Sequence, residues 1–217
     1  MRTTTVHRIV LPVAALAMAA TGCTTTGTDD AAAKGQAATE VCGGFAEEPR
    51  AASALDAIAG KGVRLTSDRS EPDRVVSELR EAARTPQSGK QRMAGIPFCT
   101  LEAAEDGKNV LTVTVREALA VPGGDASKDL VTAYSTGRLA TSSDLFASIY
   151  FTCRLPAPAH EIVLDAELER ADENEADHAG IRDEQIILAN AAARHVADEL
   201  GCTGTGLAAG VPAKARP

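Results

Sequence analysis

The side chains of this sequence best suited to chemistry are five cysteines, four histidines and a crowd of carboxylates. Cys42, Cys99, Cys153 and Cys202 stand about fifty residues apart, whereas a zinc site built on cysteines needs close pairs such as C-x-x-C. An even set at such spacing reads as two disulfides of an exported chain. His160 opens "HEIVL", which lacks the second histidine of a zincin and reads as strand, where positions i and i+4 do not converge on a metal. His195 and Glu199 lie one helical turn apart, the spacing of a surface ion pair. His178 closes the acidic stretch "DAELERADENEADH", residues 165–178. There Asp172, Glu173, Glu175 and Asp177 crowd a short loop, and oxygen-rich loops can hold Ca²⁺. The calcium-loop template needs Gly at its sixth position and Glu at its twelfth, and counting from Asp172 this chain offers Asp177 and Asp183. A solvated acidic turn is therefore expected. No G-x-S-x-G elbow, Ser-x-x-Lys pair or Walker loop occurs, and "GGDASKD" from 123 has a lysine without the glycine before it. These motifs predict no catalytic residue, cofactor or metal.

Cys23 differs from the other four cysteines in its surroundings. Upstream lie Arg2, His7 and Arg8, then the uncharged run "IVLPVAALAMAA". A membrane span needs roughly 20 apolar residues, so this shorter run reads as the core of an export signal. It ends in Ala19, Ala20, Thr21, Gly22 and Cys23, which resembles a bacterial lipobox, with Ala20 where Leu is usual. The resemblance implies cleavage before Cys23 and diacylglycerol on its thiol. Ordinary secretion, with cleavage after "AMA" or "MAA", is the alternative. It would leave Cys23 as a free thiol in an oxidising space, which favours lipidation.

The segments that follow bound the folded part. Residues 1–22 read as signal peptide, and 23–40, without a large apolar side chain, as a flexible tether. Residues 41–203 read as one domain of ordinary size. The Gly-, Ala- and Pro-rich stretch 204–217 reads as a disordered tail. Loss of residues 1–22 removes Arg2 and Arg8, taking the formal charge from −8 to −10. So acidic a chain repels phosphate backbones and anionic headgroups, which disfavours nucleic acid and leaves lipid as the membrane contact. Aromatics make up 3% of the residues and Trp is absent, so a sugar-binding role on aromatic platforms is disfavoured.

The elements that must position any site follow from periodicity. "AEEPRAASALDAIAG" reads as a short helix with Pro49 in its first turn and Gly60 as its stop. "SEPDRVVSELREAAR" reads as a second, capped by Ser70, with Val75, Val76, Leu79 and Ala83 on one face. Residues 85–97 read as a loop. The period then changes to two in "NVLTVTVREALAV", "DLVTAYSTGRLA", "DLFASIYFTCRL" and "HEIVLDAELER", four strand candidates with one wet face. "AGIRDEQIILANAAARHVADEL" reads as a long helix with the stripe Ile181, Leu188, Ala192, Val196 and Leu200. The expected fold is α+β, a two-layer domain with an antiparallel sheet of about four strands covered on one face by helices. If strand 144–155 runs up and 160–169 returns, the final helix climbs again and brings Cys202 level with Cys153. That favours Cys153–Cys202 with Cys42–Cys99, and Cys42–Cys202 with Cys99–Cys153 stands as the rival pairing.

The lipobox, the "CGG" at 42–44, the "FC" at 98–99, the "FTC" at 151–153 and the closing "LGC" at 200–202 together resemble small actinobacterial lipoproteins. The abundance of Ala, Gly and Arg agrees with GC-rich hosts. The resemblance implies no known activity. It supports a lipoprotein anchored to the outer face of the cell membrane through Cys23, with a non-catalytic binding or envelope-associated role. An exported hydrolase, whose residues would converge only in the fold, is the alternative. A two-lobed solute receptor is disfavoured by chain length.

Overall fold

In the computed structural model the described residues are 35–85, 95–123, 130–171 and 178–216. Three long strands form the centre. In β3 (Asn109–Ala118), Leu111, Val113 and Val115 are buried, while Thr112 and Thr114 point the other way. β7 (Ile162–Arg170) buries Leu164, Ala166 and Leu168, and β6 (Phe146–Cys153) buries Ala147, Ile149 and Phe151. Each strand thus carries an apolar face with the two-residue period of extended chain, and these faces form one wall of the core.

β1 (Leu65–Thr66), β2 (Ile96–Ala103), β4 (Thr132–Ser135), β5 (Leu139–Ser142) and β8 (Ala213–Lys214) extend the sheet on both sides. The order is β1-β2-β3-β7-β6-β5-β4-β8, and every neighbouring pair is antiparallel. Among the described residues the sheet therefore has eight strands, twice the expected width, and the expectation of about four is corrected. Three causes account for the difference. β1 and β8 are two residues long and carry no period. The chain from Thr132 to Ser142 folds back on itself at Gly137, so the strand expected over 129–140 becomes the β4–β5 hairpin. β2 contains Pro97 and buries Phe98, Cys99, Thr100 and Leu101 in succession, across irregular pairing with β3, so no alternation marks it. Gly137 is required at the hairpin: its φ is +60°, and a Cβ there would lie 2.5 Å from the Tyr150 carbonyl oxygen.

The helices are α1 (Pro49–Ala59), α2 (Pro72–Ala82) and α3 (His178–Leu200). Gly60 and Gly201, at φ +96° and +75°, follow α1 and α3 where the chain must turn. Ser70 does not cap α2. Its hydroxyl instead accepts the Thr100 N–H at 2.9 Å, and Glu71 occupies the cap position.

The amphipathic stripe expected of α3 is one side of a helix buried all round over residues 185–193. The sheet covers one side, and α1 and the C-terminal segment cover the other. Residues 204–217 were expected as a disordered tail, and over 205–216 the chain is docked. Asn190 Nδ2 donates to the Ala208 carbonyl at 2.9 Å, Thr136 Oγ1 donates to Asn190 Oδ1 at 2.7 Å, and β8 pairs with β4. At the other end, Gln36 and Leu65 exchange backbone hydrogen bonds of 2.6 and 3.1 Å, so the fold begins inside the segment read as tether. Among the described residues no helix is long and apolar enough to cross a membrane.

Candidate functional site

The outward positions of the central strands are polar, and register decides which of them meet. Arg116 on β3 stands opposite Asp165 on β7, and Asp165 stands opposite Tyr150 on β6. One pleat along, Glu167 faces Ser148. Arg116 Nη2 donates to Asp165 Oδ2 at 2.8 Å and to Glu167 Oε2 at 3.0 Å, and Ser148 Oγ donates to Asp165 Oδ1 at 2.7 Å. Asp165 is only 1% exposed, so its charge is sustained by these two donors.

The electrostatics follow from this geometry. Partial burial lowers the proton affinity of the Arg116 guanidinium, but the two carboxylates outweigh it and the net shift is upward. Burial raises the pKa of the Tyr150 phenol, and the Asp165 charge beside it raises it further. Both groups keep their protons throughout the neutral range.

Beyond Ala118 the chain bends over this polar floor. Leu119, Val121 and Pro122 form an overhang, and between overhang and floor lies a slot of about 560 Å³ reaching Arg116, Tyr150 and Asp165. A hollow of about 440 Å³ continues past Leu119 toward His160, Glu161 and Val163. A third cavity, about 280 Å³, lies between the start of α1, the Ile187–Arg194 side of α3 and Val211. The slot combines an apolar roof with a few convergent polar groups, the make-up of a ligand pocket. The hydroxyl of Ser148 beneath it is bonded to a carboxylate already held by arginine, and Arg116, Tyr150 and Asp165 offer the slot hydrogen-bonding groups for recognition.

The residues singled out from the sequence fall elsewhere. Cys42 is joined to Cys99 and Cys153 to Cys202, the first of the two pairings considered. Both bonds fit an oxidising, extracytoplasmic location. His195 packs its ring against Phe98, centroids 5.7 Å apart, beside Gly43. His160 is exposed at the rim of the second hollow. Cys23 and the acidic residues Asp172, Glu173, Glu175 and Asp177 lie outside the described residues, as does the side chain of His178. Among the described residues no three His, Cys, Asp or Glu side chains gather as a metal site would require.

The Arg116–Asp165 cluster was missed by sequence reasoning. Its signal was present: outward positions Asp165, Glu167 and Glu169 on one strand are acidic, and Arg116 is the cation on the outward side of another. The pairing of β3 with β7, 49 residues apart at this contact, supplies what the pattern lacks. Compared with family models, curated proteins and solved structures, the chain matches none.

Proposed function

We propose that this chain is an exported lipoprotein, held at the outer face of the cell membrane by diacylglycerol on Cys23, whose folded domain binds a ligand without transforming it. Its two disulfides carry the extracytoplasmic half of this reading, since such bonds persist where thiols are not kept reduced. The slot under Leu119, Val121 and Pro122 supports the binding half. Gln36 joins the sheet at β1, beside the Asn109 end of β3, whereas the slot lies at the Ala118 end, about 20 Å or more away at 3.3 Å per residue.

A histidine joined to a serine or aspartate would favour the hydrolase alternative. Among the described residues His160 and His195 make no such hydrogen bond, so no observation favours it. Fractionation of cells carrying wild type or Cys23→Ala tests the anchor. Wild type is expected with membranes and the variant in the medium. Equal release of both would contradict the anchor.

A further inference from the structure

On the reading that the outer-face slot is the binding site, we propose that its ligand is a small organic cation, an amine head carried on an apolar body. The roof and floor of the slot set these two halves apart. Leu119, Val121 and Pro122 overhang one side, a surface for an apolar body. On the other side one cation among the described residues, Arg116, lines the slot, and that charge is already met by Asp165 and Glu167 at 2.8 and 3.0 Å. Asp165 and Glu167 stand against that single guanidinium, so among the described residues around Arg116 carboxylate is in excess. An anionic ligand would have to displace Glu167 from Arg116 and sit beside buried Asp165. An ammonium group meets the excess carboxylate directly. Tyr150 lines the slot as well, an aromatic side chain of the kind that attracts ammonium groups.

The other openings carry less. In the cavity beside α1, Arg194 is paired with Glu48 at 2.8 Å and Arg50 with Glu184 at 3.7 Å, and the volume is half as large. The hollow at His160 shares Glu117, Ala118 and Leu119 with the slot, and the Glu161 it adds is already paired with Arg154 at 2.9 Å.

Three probes of similar shape separate the classes: 2-phenylethylamine, 2-phenylethanol and phenylacetate, each titrated into the isotope-labelled exported protein with its disulfides intact. Backbone amide shifts of 119–121, 123 and Tyr150 report occupancy. The amine is expected to saturate with a Kd on the order of 10 mM, as fits a ligand of this size. Glu167→Gln should weaken the amine by about two- to fivefold, the worth of one partly exposed charge pair, and leave the alcohol unchanged. Phenylacetate saturating as tightly as the amine would overturn the cationic ligand while leaving the slot as a binding site. If none of the three moved these amides in a saturable way, the slot itself would be refuted, whatever fractionation shows for Cys23.

Discussion

Asp165 shows how much of this protein rests on single buried groups. Its carboxylate is out of water and has Arg116 and Ser148 as donors. Replacing Arg116 by Ala leaves a buried charge with one neutral partner. It should cost about 2 to 4 kcal/mol by urea unfolding, below the full value for a buried pair because Arg116 is itself a third exposed. Adding Asp165→Asn to that variant should recover part of the loss. No recovery would mean that the charge is not what is being left behind. The chain's two tyrosines make a second test. Burial raises the Tyr134 pKa, and the carboxylate of Asp183, 2.5 Å from its hydroxyl, raises it further. Tyr150 is raised by burial and by Asp165. Both therefore hold their protons in the fold at a pH where an unfolded tyrosine, with pKa about 10, has lost them. Their contribution is present below that pH and lost above it, so stability should fall as pH rises past about 10. Tyrosinate absorbance should appear together with unfolding. An ordinary titration of two phenols in the folded protein would contradict the assignment. None of these contacts is local: Arg116 and Asp165 are 49 residues apart, as are Tyr134 and Asp183. Periodicity marks which way such side chains point, not which ones meet.

Elements were legible in proportion to their length and to the contrast between their faces. β3, β6 and β7 have one wet face, and their alternation gave their direction in advance. α1 and α2 announced themselves through Pro49, Pro72 and a single apolar side. α3 was found, yet its surroundings were misread, because the stripe through Leu188 and Val196 accounts for one side of a helix buried on all sides. Ile187, Asn190 and Ala191 are covered from outside by α1 and by a segment whose Gly, Ala and Pro composition resembles a loose end. Backbone carbonyls do much of the docking, and these are present in every sequence. Asn190 donates to Ala208 and Gly210, and Arg194 donates to Ala209 at 3.0 Å. Removing residues 206–217 should then cost about 3 kcal/mol or more, from orphaned polar groups and an uncovered apolar side of α3. Denaturant unfolding of the truncated chain checks this, and unchanged stability would show that the segment is dispensable. The two-residue strands β1 and β8 end the sheet on either side, and such short edges offer little for another chain to pair with.

The disulfides tie the two ends of the domain to the sheet. Cys42–Cys99 fastens the first buried turn to β2, and Cys153–Cys202 fastens the chain after α3 to the end of β6. They close sequence separations of 57 and 49 residues. In the chain-entropy account each is worth about 4 kcal/mol, comparable with the net stability of a whole domain. Reduction should therefore bring the protein close to unfolding at room temperature, read as loss of cooperative unfolding in urea under reducing conditions. Full stability after reduction would contradict that role. The pairing was legible because a β-hairpin followed by a long helix returns the chain to its starting level, which holds however wide the sheet becomes. The slot was not, since it needs the non-local β3–β7 contact and the overhang after Ala118. The proposed function, a binding domain displayed on a lipid anchor, rests on the two disulfides and on a slot at the end away from Gln36. Intact mass of the protein taken from membranes of its native host tests that account. The predicted result is a chain beginning at Cys23, carrying diacylglycerol on that residue and lacking free thiols at Cys42, Cys99, Cys153 and Cys202. A soluble chain beginning at Thr21, with an unmodified Cys23, would contradict it.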